Sequence, residues 1–202
     1  MSDACFDEWL ATRREAMAKV LASASRRRDA GGPCVTSPID NALAGVLARR
    51  GKSYRPLLTL TVAEALGGNG DDDWNDIETP AFRAAAGVEC FHLASLAYDD
   101  LPAMDNADTR RGAPSLHRAL EAVHPGRGAA LAVLCAHALT SLGFQTLADS
   151  GLSPTAALDL VSAASDAIGP AHMAGGQALD LVGYPAELFD DIGHDEIGRA
   201  HV

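Results

Sequence analysis

Over residues 79–100, apolar side chains recur at helical spacing, Val88, Phe91, Leu93 and Leu96 among them, and the run ends on two adjacent acids, Asp99 and Asp100. Burial alone would not favour that ending. Carboxylates gathered at the end of a buried helix repel one another unless something cationic lies between them. A third acid, Asp105, follows after four residues, and Arg110 and Arg111 come shortly behind it. Hard oxygen ligands of this kind suit Mg²⁺, which keeps several waters and bridges protein carboxylates to substrate phosphates. Two arginines directly after the acids fit a metal-held diphosphate whose other oxygens need forked donors. The alternative is an acidic loop at a helix end, with Arg110 and Arg111 as local salt-bridge partners.

The rest of the chain reads as helices too. They are expected over about 3–28, from Ser37-Pro38 to residue 50, over 56–66 and 128–150, after Ser153-Pro154, and across HMAGGQALDL. No strand-like alternation persists and no internal repeat is found, so the reading is all-α. Aromatic residues make up only 5% of the 202, and Ala and Leu are abundant, which also favours packed helices. Length and punctuation point to one helical domain over residues 1–202. The Arg26-Arg27-Arg28 run reads as a solvated helix end, and Asp71-Asp72-Asp73, set among Gly and Asn, as a solvated loop.

A formal net charge of −11 argues against nucleic-acid binding, although local Lys and Arg can still hold a diphosphate. The four cysteines, Cys5, Cys34, Cys90 and Cys135, are widely spaced and form neither a disulfide framework nor a zinc site. Cys90 and Cys135 lie in apolar helical patterns, as small core residues do. The N-terminus lacks a signal-peptide pattern, and no apolar run is read as long enough to span a membrane. A cytoplasmic setting is the expectation.

The segment DDLPAMDNADTRRG resembles the first aspartate-rich motif of the trans-isoprenyl diphosphate synthases, the polyprenyl synthetase family that includes the farnesyl and geranylgeranyl diphosphate synthases. The resemblance implies a helical bundle around a central cavity, a homodimer, and Mg²⁺ held by Asp99, Asp100 and Asp105. It assigns Arg110 to the diphosphate of an allylic substrate (dimethylallyl, geranyl or farnesyl diphosphate). Arg111 is assigned to the diphosphate of isopentenyl diphosphate.

Three further segments carry the likeness. Gly51-Lys52-Ser53-Tyr54-Arg55-Pro56 is similar to the family's isopentenyl diphosphate segment, with Lys52 and Arg55 expected on one face near a helix start. His92, seven residues before Asp99 and two turns away on the same face, becomes a further ligand of isopentenyl diphosphate. Gly175-Gly176-Gln177-Ala178-Leu179-Asp180 is similar to the later Gly-Gln segment, whose glycines allow close packing and whose Gln177 and Asp180 face the cavity. By the same resemblance Ala94, small where a bulky side chain would shorten the cavity, implies a geranylgeranyl rather than a farnesyl product.

Three departures stand beside these matches. Tyr98 precedes Asp99, and His137 occupies a position where many members carry Asp. The second aspartate-rich motif and the Lys-Thr pair before it are not found, and Asp190-Asp191 read as a solvated helix edge. The expectation is therefore the N-terminal two-thirds of the family fold, without its C-terminal helices. A non-catalytic or regulatory subunit and a class I terpene cyclase are the competing functions. A cyclase needs no second diphosphate, so Lys52, Arg55 and His92 together count against it.

Overall fold

The computed structural model describes residues 3–26, 37–48, 51–67 and 77–183, with the backbone alone for 3–6 and 24–26. Several sequence readings fall outside the described residues: Cys34, Arg27 and Arg28, the Asp71-Asp72-Asp73 loop, and Asp190-Asp191. Two compact units divide the chain, Met1–Ala164 and Ser165–Val202.

The first unit is built on helices α1 (Asp3–Arg26), α2 (Pro38–Ala48), α3 (Tyr54–Ala65), α4 (Pro80–Asp99), α5 (Leu116–Val123) and α6 (Gly128–Ala148). Helix α7 (Pro154–Ile168) runs to the end of this unit and into the next. Helix α4 starts where the sequence places it. Thr79 caps it by accepting from the Phe82 N–H, and Pro80 needs no donor in the first turn. It is buried on nearly every side, from Phe82 and Ala85 through Cys90, Leu93 and Ala97, because α6, α3 and α1 all pack against it. A helix that is apolar all round belongs at the centre of a core.

The α4–α6 contact is closed by two glycines. A Cβ on Gly87 would come within 2.7 Å of the Leu147 side chain, and one on Gly143 within 2.8 Å of the Phe91 ring. Phe82, Leu60, Leu139 and Met17 fill the interior around this contact. Burying each such side chain contributes about 1.5–3 kcal/mol. Cys90 and Cys135 are buried in the same core, and burial pushes the Cys90 thiol up to about 12.

Three sequence expectations change here. Helix α6 has both the length (21 residues) and the mean hydropathy (1.5) of a membrane-crossing helix, contrary to the reading that no apolar run reaches that size. Its buried face packs on α4 and α5, which is how a core helix of this composition is used. Helix α5 was not anticipated. It lies in the stretch after the Asp-rich motif, with Leu116 and Leu120 on its buried face. Glu121 then accepts from the Gly126 N–H at 2.6 Å and the Gly128 N–H at 2.8 Å, supplying the N-terminus of α6 with partners.

The third change is a small antiparallel ladder in an otherwise helical protein, β1 (Thr109–Arg110) with β2 (Ala113–Pro114). Thr109 pairs with Pro114 and Arg110 with Ala113, leaving Arg111 and Gly112 as a two-residue turn. Both have positive φ, 54° and 76°, as a hairpin turn that matches strand twist requires.

In the second unit, α8 (Met173–Val182) carries the Gly-Gln segment. Gly175 is needed there, because a Cβ would strike the carbonyl oxygen of Pro170. Gly176 has open space around it, and the approach at Gly175 is to the turn before its own helix, so neither glycine is seen closing a contact between helices.

Candidate active site

Helix α4 ends on Asp99, and a tight loop then returns the chain. The Asp105 N–H donates to the Asp99 carbonyl at 2.9 Å, and the Asn106 N–H to the Leu101 carbonyl at 2.9 Å. Asn106 adopts a left-handed φ of 49°, a conformation its short polar side chain tolerates. This loop keeps the three acids at one end of the helix. Asp100 is buried, Asp99 half-buried and Asp105 exposed.

Arg110 reaches back from the hairpin to Asp100, donating from Nε at 2.9 Å and Nη2 at 2.5 Å to the same oxygen, Oδ1. This bond to Asp100 holds the Arg110 guanidinium above its ordinary range. The Asp99 carboxyl is raised above the usual carboxylate range, first by burial and then by the negative charge of Asp105, with Asp100 adding to it. Among the described residues, no three His, Cys, Asp or Glu side chains converge as a finished cation cage. The donors nonetheless fit Mg²⁺. They are hard carboxylate oxygens whose mutual repulsion a cation would relieve, and Mg²⁺ takes much of its shell from water and phosphate.

A second centre lies on the same helix, toward its middle. Gly51, Lys52, Ser53, Tyr54, Arg55, Glu89, His92 and Arg111 line one cavity of about 460 Å³. Four residues assigned to one diphosphate in the sequence reading therefore meet: Lys52, Arg55, His92 and Arg111. The route differs from expectation for Lys52. It precedes α3, and Ser53 between it and the helix is left-handed (φ 53°), so the three-residue spacing to Arg55 does not place the pair on one helical face. They converge because the chain bends at Ser53.

Arg111 is placed by its hairpin turn, and its guanidinium lies where a Cβ of Gly51 would be, so a side chain at Gly51 would displace it. Arg110, Arg111 and Asp100 also line a smaller, largely apolar cavity of about 220 Å³ with Leu93, Leu96 and Ala97. Ala94 sits in the core cluster, 3% exposed, one position off the residues of α4 that line this cavity. His137 is exposed on α6, and Tyr98 packs half-buried against the core. Gln177, half-buried, and Asp180, exposed, stand three residues apart on α8 in the second unit.

His92 has a defined protonation state. Nη1 of Arg55 lies 3.2 Å from its Nε2, and a guanidinium can only donate, so Nε2 accepts and the proton is on Nδ1. Burial first, then the positive charges of Arg55, Arg111 and Arg110, bring the imidazole down to about 4. A folded-state value below the ordinary one means that stability is lost as pH falls from about 6.5 toward 4, where only the unfolded chain takes the proton. An NMR titration of the His92 ring should show no midpoint above pH 5, and a midpoint near 6.5 would contradict this arrangement.

Glu89 is the site residue the sequence reading missed. It stands one turn before His92, buried, and lines the same cavity. Its signal was a single acid within an apolar helical run, three residues from a histidine that was itself singled out.

Comparisons with known proteins identify the family. The family model described as Polyprenyl synthetase matches residues 36–193. Geranylgeranyl pyrophosphate synthase 3, chloroplastic, of Arabidopsis thaliana is 35% identical over 167 residues, covering 81% of this chain and 41% of that protein. Farnesyl diphosphate synthase of Geobacillus stearothermophilus is 32% identical over 188 residues, 91% of this chain and 56% of that one. Among solved structures, an FPP/GFPP synthase from Zymomonas mobilis superposes with a TM-score of 0.65 at 32% identity, covering 86% of this chain and 59% of that one. A geranyltransferase from Legionella pneumophila gives 0.71 at 25% identity, covering 93% and 59%. The chain thus spans about half the length of the relatives it matches. With its all-α core, its acid-ended central helix and a family match across most of its length, the chain belongs to the polyprenyl synthetase family.

Proposed function

We propose that this chain is a synthase domain, residues 1–202, that condenses isopentenyl diphosphate with an allylic diphosphate to give a short-chain all-trans polyprenyl diphosphate, geranylgeranyl or farnesyl. The observation that carries this is the basic cavity of Lys52, Arg55, His92 and Arg111 beside the acid-ended α4. One helix thereby serves two anionic groups, which a cyclase with a single diphosphate would not need.

In this reading Asp99, Asp100 and Asp105 would hold Mg²⁺, which when bound would supply positive charge beside the leaving diphosphate. Arg110 turns from Asp100 to that diphosphate and offers forked donors to it. The carbon–oxygen bond breaks with its electron pair going to the diphosphate, and the double bond of isopentenyl diphosphate attacks the resulting cation and loses a proton. Lys52, Arg55 and Arg111 hold the second diphosphate, and neutral His92 presents its Nδ1–H. Leu93, Leu96 and Ala97 supply an apolar wall that keeps water from the cation. A cytoplasmic setting and a homodimer complete the proposal.

A second reading, a non-catalytic or regulatory subunit of a prenyl diphosphate synthase, draws on one relative that is named as a heterodimer subunit. The heterodimeric geranylgeranyl pyrophosphate synthase large subunit 1, chloroplastic, of Arabidopsis thaliana is 32% identical over 201 residues, 98% of this chain and 48% of that one. Incubating the chain with isopentenyl and allylic diphosphates, with Mg²⁺ or with chelator, separates the two. A chelator-sensitive prenyl product supports the synthase. No product from folded chain, with the rate or product length of an added full-length synthase altered by the chain, supports the subunit.

A further inference from the structure

Glu89 is the one charged side chain of the basic cavity that the proposed reaction leaves without a task. It is 5% exposed, and its Oε2 is buried without any hydrogen-bond partner. A dry carboxylate oxygen with no donor is costly, and such a group needs a proton or a ligand to satisfy it. The charged and titratable groups around it come from every neighbouring element. Lys52 and Arg55 approach from the start of α3 and Arg111 from the hairpin. Arg14 and Glu15 of α1 share with it a neighbouring cavity of about 380 Å³. His92 and Cys90 flank it on α4 itself. Burial raises the Glu89 carboxyl above the ordinary glutamate range, while Arg111 and then Arg55 draw it back.

A diphosphate entering this cavity changes both influences in the same direction. It brings negative charge beside the carboxylate, and it engages the guanidinium groups that had favoured the charged form. We infer that Glu89 takes up a proton from solvent when a diphosphate binds, and that the resulting Oε2–H donates to the ligand. The buried acid then adds a donor beside the cationic ones, and ligand affinity becomes linked to pH. The inference rests on the proposed use of this cavity for isopentenyl diphosphate.

The test is calorimetric titration of isopentenyl diphosphate into the whole chain and into its Glu89→Gln variant, in two buffers of different ionisation heat. The range runs from about pH 6 to 8.5, where linkage changes affinity by about tenfold per pH unit for each proton taken up. Protonation of the ligand and of His92 is common to both proteins and cancels in the comparison. The expected result is proton uptake in the wild type that the variant lacks, with the variant's relative affinity rising as pH increases. Binding with equal proton uptake in both overturns the role of Glu89 and leaves the cavity's use standing. Absence of binding in both, at every pH, overturns the cavity's use and the inference with it. Should the variant fail to fold, the wild-type infrared difference spectrum decides. A carboxylic-acid carbonyl band appearing on ligand addition supports the inference, and its absence overturns it.

Discussion

Replacing Asp99 with Ala should lower Mg²⁺-dependent prenyl transfer by about 10³-fold or more, the scale at which a group stabilising transition-state charge is lost. The same substitution should leave the metal-free fold as stable as before, or more so. In the folded chain the Asp99 carboxyl is raised by burial and by its acidic neighbours. Its charged form is therefore better tolerated in the unfolded chain, and stability falls as pH rises through the interval between the unfolded and the folded values. Above that interval the loss is complete, and removing the carboxylate recovers it. Thermal melts with and without Mg²⁺ plus inorganic pyrophosphate check both halves. The wild type should gain in Tm on adding the pair, and Asp99→Ala should not. A variant that keeps near-normal kcat would remove Asp99 from the metal site.

Replacing Arg110 with Ala should have the largest effect on stability. The Asp100 side chain is 3% exposed, and Arg110 supplies both hydrogen bonds to Oδ1. Removing one partner of a buried pair strands the other charge, at a cost of about 3–5 kcal/mol. The check is urea unfolding at constant slope, with Asp100→Asn and the double variant completing a cycle. The double variant should be more stable than Arg110→Ala alone, because no buried charge is left behind. Additive losses would mean that the pair contributes nothing as a pair. Mg²⁺ should reduce the deficit of Arg110→Ala by giving Asp100 a different cation.

Much of this site could be read before any coordinates. The acids of DDLPAMDNADTRRG, the Gly-Lys-Ser-Tyr-Arg-Pro segment and His92 carry their chemistry in residue type and order, and helical spacing places His92 and Asp99 on one face of α4. What stayed hidden has local causes. A ladder two residues long has no period to detect, so the turn that aims Arg111 was invisible. The left-handed Ser53 ends any face argument made from spacing alone, although the convergence of Lys52 with Arg55 survived. Helix α5 has eight residues and a two-leucine buried face, too brief to stand out between a hairpin and Pro125-Gly126. Glu89 was concealed because a lone acid in an apolar run reads as a surface position until the helices around it are known. The hydropathy of α6 was underestimated because its small residues, alanines above all, do not look like a continuous apolar run.

The glycine contact between α4 and α6 has a bearing on how substrate spacing is kept. Gly87 and Gly143 let the two helices pack closely and fix where α4 lies against α6. His92 and Asp99, seven residues apart, therefore work as stations on a rigid ruler, separated along its axis by about 10 Å at 1.5 Å per residue. The two diphosphates would inherit that separation from helix pitch. Point substitutions between the stations alter the wall, but the ruler keeps its length. A single inserted residue would instead turn one station away from the other by about 100°, so the stretch between them can vary in side chain but not in count.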